Sequence, residues 1–209
     1  MMNLSEVFSK HRTTNIFFAA LVFITALVIY TSTMTPTTDF WDPAERIAAA
    51  HGLQIMHPPG APFSSLTGRI FSMFMPAEYV AMSINFVSVL ASSFTIMFLY
   101  LIIIILLKKW QGPVDRMDLT DKTGFYGGAV FGALTFMVTE TMWFNAVEAE
   151  VYATSLFFTA AVVWMALRWS ENHDKPRSER WLVLIAYMFG IALGVHLLNL
   201  LALFFVTLI

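Results

Sequence analysis

The sequence predicts an all-α membrane protein of about five transmembrane helices, with short interfacial helices in its first outward loop. Three observations predict it. Of 209 residues, 58% are hydrophobic and 12% charged, whereas an ordinary soluble domain carries about 25% charged residues. Apolar segments recur over residues 15–31, 79–107, 125–142, 151–169 and 181–209, and about 20 apolar residues make a helix that crosses a core of roughly 30 Å. Lysine and arginine gather in the connections that would share one side of a membrane. Absent cysteine excludes a disulfide framework or a thiolate metal site. The net charge of -2 says little about partners; membrane lipid is expected and nucleic acid is not.

The first segment reads as a retained anchor, because its apolar core is long and "TSTMTPTTDF" lacks a small-x-small cleavage site. The second and fifth are near thirty residues, roughly 45 Å if helical, so they must tilt, break or begin in the interface. Lys10 and Arg12 precede the first segment. Lys108, Lys109, Arg116 and Lys122 follow the second, and Arg168, Lys175, Arg177 and Arg180 follow the fourth. Only Arg46 and Arg69 fall on the other side. The positive-inside rule then puts the N-terminus in the cytoplasm, with the 32–77 loop and the "WFNAVEAEVY" connection facing outward. The chain stops inside an apolar run, so residues 1–209 read as one transmembrane domain from the N-terminal part of a longer protein.

Polar chemistry concentrates in the outward loop, in "DFWDPAERIAAAHGLQIMHPPGAPF". "DPAERIAAAHG" predicts a short helix with Asp42 as N-cap, Pro43 first, Glu45 third and Gly52 as the stop. Under the plain reading, Asp42 and Glu45 satisfy orphan N–H groups, and Arg46 pairs with Asp42 four residues away. Under the functional reading, two carboxylates at one helix end lie near the headgroups. There one accepts a proton from a hydroxyl while the other orients it. Asp39 is a spare candidate. "MHPPGAPF" predicts a rigid turn that either just returns the chain or aims His57 at a phosphate or at the Asp42 helix. His51 reads as a surface residue. "SSLTGRIFSMFM" predicts an interfacial helix carrying Arg69, either a headgroup contact or a bidentate ligand for a lipid-linked phosphate.

In the second outward connection, Trp143 and Tyr152 read as interfacial belt residues. Glu148 and Glu150 either join the outer cavity or decorate a solvated loop. His196 and Asn199 lie three apart in the fifth segment and share a face, roughly 22 Å up from Trp181 if helical. Polar residues at that depth face protein or a water-filled cavity. No coordination pattern for a metal is readable, although Asp39, Asp42 and Glu45 offer hard oxygens to a divalent cation.

These residues resemble the protein O-mannosyltransferase-like membrane family, long catalogued as a domain of unknown function and found in bacteria with animal relatives. The family pattern of Asp-x-x-Glu, small residues and His-Pro-Pro-Gly falls on Asp42, Glu45, Ala48 to Ala50 and His57 to Gly60. "WFNAVEAEVYA" and "GVHLLNLLAL" resemble its second and third signatures. The resemblance implies a GT-C glycosyltransferase that takes sugar from a polyprenyl-phosphate-linked donor. The acceptor would be a hydroxyl of an exported protein, Ser or Thr, and the setting a bacterial inner membrane with the 32–77 loop in the periplasm. It implies Asp42 as general base or acceptor-positioning carboxylate, with Glu45 assisting. His57, Arg69 and His196 would contact donor phosphate or acceptor, with Arg46, Glu150 and Asn199 completing the candidate substrate-binding set. Two other readings stand beside it: a flippase for lipid-linked glycans, and a non-catalytic scaffold subunit. A flippase predicts charge deep in the spans and paired broken repeats, neither of which the sequence displays.

Overall fold

The computed structural model describes residues 11–58 and 60–207; Lys10, Pro59 and the last two residues lie outside them. Every regular element among the described residues is helical, in the order α1 (His11–Thr33), α2 (Asp42–Gly52), α3 (Pro62–Ser72), α4 (Val80–Gln111), α5 (Leu119–Met137), α6 (Glu140–Val147), α7 (Val151–Ser170), α8 (Glu179–Leu193) and α9 (Leu201–Thr207). The all-α membrane reading holds. Of the about five spans expected, three are continuous helices, one is a bent pair, and the fifth segment is broken.

Three stretches are long and apolar enough to cross a membrane: α1, α4 with the turn before it (Ala77–Gln111), and α7. A fourth is a pair, α5 and α6, bent by 66°. The last four carbonyls of a helix have no partner within it, and the Tyr30 hydroxyl donates to the Met137 carbonyl at this bend, 2.8 Å away. The fifth apolar segment is interrupted. Helix α8 has 15 residues, about 22 Å of rise against a core of roughly 30 Å. Backbone at His196 then turns extended, with φ -160° and ψ 142°, before a short 3-10 turn leads into α9. Asn199 holds this break: its amide donates to the carbonyls of Ala192 and His196, both at 2.9 Å. Its carbonyl oxygen accepts from Thr159 on α7 at 3.1 Å.

Helix α4 is the central post, touching α1, α3, α5, α6 and α7. Small residues let its neighbours approach, with Ala19, Ala26, Ala129 and Ala133 all buried in the main core, as expected where lipid removes the usual hydrophobic drive. The outer face of α1 is apolar and exposed at Ile16, Phe17, Leu21, Ile24 and Val28. The loop helices dock on the bundle through a second cluster containing Ala49, Met56, Ala61, Val151, Phe158, Ala192 and Val195.

Helices α2 and α3 meet where Gly68 faces Ala50. A Cβ at Gly68 would stand 2.9 Å from the Ala50 Cβ and 3.3 Å from the Ile84 side chain. Gly68→Ala is therefore expected to cost about 1–3 kcal/mol by overpacking, read as a lower Tm of the purified protein. Gly127→Ala is the control, because a Cβ there meets nothing within 4 Å; an equal loss in both variants would contradict the close approach.

Candidate active site

Helix α2 begins at Asp42 rather than after it. Trp41 is the N-cap, at φ 69°, and no side chain caps the helix. The Asp42 carboxylate is therefore not spent on capping its own helix. Glu45 is engaged elsewhere: the His57 backbone N–H donates to Oε1 at 2.8 Å, and His57 Nδ1 lies 2.6 Å from Oε2. Both carboxylate oxygens thus face one residue twelve positions away. The turn that brings it there is tight, with the Gly60 N–H donating to the His57 carbonyl at 2.9 Å and Gly60 at φ 86°, a conformation glycine adopts without a Cβ clash.

His57 Nε2 points back to Asp42, 3.8 Å from Oδ2. Arg46 stands between two acids, 3.5 Å from Asp42 and 3.4 Å from Glu150. Asp42, Arg46 and His57 open onto a cavity of about 200 Å³, lined also by Met56, Tyr152 and His196. His196 Nδ1 accepts the Leu198 N–H at 3.1 Å, so in this tautomer its Nε2 carries the proton. The Tyr152 ring lies 5.2 Å from the His196 ring. The Phe63 N–H donates to the Gly194 carbonyl at 3.0 Å, which ties the loop to the break that presents His196. Phe40, Trp41 and Ile55 stand exposed on the loop.

Hydrogen bonding to Glu45 raises His57 above the ordinary imidazole value, and the same bond lowers Glu45. Burial pushes Glu150 up, against the pull of Arg46. Glu148 is 2% exposed; burial, then Asp39 beside it and Glu150, push its carboxyl up to about 7. The loop therefore holds a His57–Glu45 clasp whose charged form is favoured, and the connection after α6 holds an acid pushed up to about 7.

The structure brings together Asp42, Glu45, Arg46, His57, Glu150 and His196 from the expected set. It does not bring Arg69 or Asn199 to the cavity. Arg69 donates to the His51 carbonyl at the end of α2, 2.5 Å away, where a cation suits the helix dipole, and Asn199 is buried in the break. His51 also lies 3.3 Å from the Ser72 hydroxyl. Tyr152 lines the cavity, although its place at the start of an apolar segment signalled only an interfacial belt. Asn85 gave no signal within the second apolar run. It is 1% exposed, and its amide donates to the carbonyls of Thr35 and Thr37 at 2.7 and 3.0 Å, pinning the chain that leads to Asp42. One group among the described residues offers three metal-ligating atoms within 4.8 Å of one another, from Asp42, Glu45 and His57.

Fold and cavity together define a helical membrane protein with an acid- and histidine-lined site where its first long loop meets one end of the bundle. Residues 42–209 match the family model described as the protein O-mannosyl-transferase TMEM260 N-terminal domain, and the chain belongs to that family. It is 25% identical over 187 residues to the protein O-mannosyl-transferase tmem260 of Dictyostelium discoideum, covering 86% of this chain and 21% of that protein. It is 23% identical over 172 residues to the protein O-mannosyl-transferase TMEM260 of Mus musculus, covering 82% of this chain and 22% of that protein. The chain thus spans about a fifth of the length of these relatives. Both are eukaryotic, so they lend no support to a bacterial inner membrane. No solved structure matches.

The two shifted groups of the clasp set a pH window. The raised His57 contributes fully below its unfolded value of 6.5 and is lost as pH rises through its folded value. The lowered Glu45 contributes above 4.5 and is lost as pH falls through its own folded value. Hydrogen-exchange protection of the His57 amide should peak between these limits, and Glu45→Gln should flatten the profile. Glu148 runs the other way. Its raised value favours the folded protein when protonated, so stability falls as pH climbs from 4.5 through about 7. Glu148→Gln is expected to remove that fall, read as a Tm that no longer drops between about pH 5 and 8.

Proposed function

We propose that this chain carries the active site of a membrane glycosyltransferase that moves a sugar from a polyprenyl-phosphate-linked donor to a hydroxyl of an exported protein, Ser or Thr. The relatives' names support protein O-mannosylation. A GT-C architecture remains part of the proposal. The observation that carries the reading is Asp42: its carboxylate is half exposed, 49% on the side chain, it caps no helix, and it lines a cavity with Arg46, His57 and His196.

The roles follow from charge. The acceptor hydroxyl oxygen attacks the anomeric carbon, and its proton passes to the Asp42 carboxylate. The bond from that carbon to the lipid phosphate breaks, and the phosphate oxygen keeps the electron pair. Inversion at the anomeric centre follows from a single displacement. Developing negative charge on the phosphate calls for donors already in place. His57 in its charged form, Arg46 and the Nε2–H of His196 supply them. Glu45 orients His57, and Glu150 holds Arg46. A divalent cation would bind at Asp42, Glu45 and His57, competing with the clasp between the last two. It would supply further charge for the phosphate.

The reading puts the loop outside the cytoplasm. In its support, Lys108, Lys109 and Arg168 sit by Ser170 and Glu171 at the far end of α4 and α7, and positive charge favours the cytoplasmic side.

Asp42→Asn is nearly isosteric and removes the charge from two contacts, to Arg46 at 3.5 Å and to His57 Nε2 at 3.8 Å. In the complete protein it should lower transfer from a polyprenyl-phosphate mannose about 10²–10⁴-fold, the usual worth of a general base, with donor binding and expression retained. Unchanged transfer would remove Asp42 from this role. Lost expression would favour a structural part for the acidic loop.

A further inference from the structure

The opposite end of the bundle holds a second and larger cavity, of about 660 Å³, between α1, α4 and α7. We propose that it is a binding site for an anionic glycerophospholipid, with one acyl chain along α4 and the phosphate at the basic rim. This inference is independent of the transferase reading, and no group of the active site takes part in it.

The cavity has the shape and polarity of an amphiphile. Its lining on α4 runs from Lys108 to Phe94, fourteen residues or about 21 Å of rise, so it extends from the helix end past the midplane of a core of roughly 30 Å. Along that length its walls are apolar, with Phe23, Met97, Leu101 and Ile104 among them. Polar groups gather only at one end, where Arg12, Lys108, Arg168 and Glu171 form the rim. A water-soluble ligand would leave the apolar length unused, and a neutral alkane would leave the rim unused.

Charge at the rim is unbalanced. Among the described residues lining the cavity, Glu171 is the one carboxylate, 3.1 Å from Lys108 and 2.6 Å from Arg168. The two cations still keep open surface, with side chains 42% and 40% exposed against 14% for Glu171. Among the described lining residues, three cations against one acid leave an excess of two positive charges facing a membrane-depth slot. A phosphate diester supplies the complementary anion, and cations near a membrane surface attract anionic lipid. A second observation points to a headgroup. The Asn15 side-chain oxygen, in the same lining, is buried and has no hydrogen-bond partner. A buried acceptor without a donor is costly, and a headgroup hydroxyl, such as that of phosphatidylglycerol, supplies one.

The test uses the complete protein, delipidated in detergent and titrated with phosphatidylglycerol or phosphatidylcholine, with bound lipid counted by native mass spectrometry. Phosphatidylglycerol is expected to bind as one retained copy, preferred over phosphatidylcholine by about tenfold or more from the excess charge. Ala20→Trp places an indole in the apolar length, from an exposed position that no packing depends on. It should remove the retained copy without lowering Tm. Arg12→Gln should cut the preference about fivefold. Equal retention of both lipids, or a retained copy that survives Ala20→Trp, would overturn the proposal. So would a cavity filled by another part of the chain, seen as no lipid retained at all.

Discussion

The acidic loop between α1 and α4 depends on one clasp: both oxygens of Glu45 are taken by the backbone and side chain of His57. Two bonds from one residue to one carboxylate fix distance and orientation together. They close the proline-rich turn against α2 and decide which way the imidazole faces. With Nδ1 committed to Glu45, Nε2 is left for Asp42 and the cavity. The same bonds favour the cationic form of the histidine, beside a carboxylate that caps no helix. Neither carboxylate has the role its position in a helix would assign. Glu45 organises and Asp42 is available, because the helix starts one residue early on a strained Trp41.

A second constraint comes from the break in the last apolar segment. Unpaired backbone cannot lie open to lipid, so the interruption after α8 needs internal partners. Asn199 provides three hydrogen bonds there. The freed backbone in turn presents His196 to the cavity and the Gly194 carbonyl to Phe63. A helical continuation would have aligned His196 and Asn199 on one face; the extended residue between the helices splits them into a cavity residue and a structural one.

Much of this was legible in the sequence. Asp42, Glu45 and His57 declared themselves through the short helix and the stiff turn, and the charge distribution separated the two ends of the bundle. What stayed hidden depends on contacts between distant segments. Arg69 follows the end of α2, which a linear reading cannot place beside it. Asn85 lies in an apolar run, yet the chain before Asp42 hangs from it, fifty residues back at Thr35. Periodicity marks the stretch through Met142 as helix but does not reveal the 66° bend, which depends on where Tyr30 meets the Met137 carbonyl. Glu148 is two residues from Glu150, yet one is buried beside Asp39 and the other faces Arg46.

The hydrogen bond from Phe63 to Gly194 joins parts more than a hundred residues apart, directly after the His57 turn on one side and just before His196 on the other. The two imidazoles consequently ride on a common strut. Sliding of α8 along α7 would drag the start of α3 with it, and Gly68 leaves no slack between α3 and α2 to absorb the shift. The spacing of the histidines across the cleft is thus governed by shear within the bundle, not by local freedom of the loop.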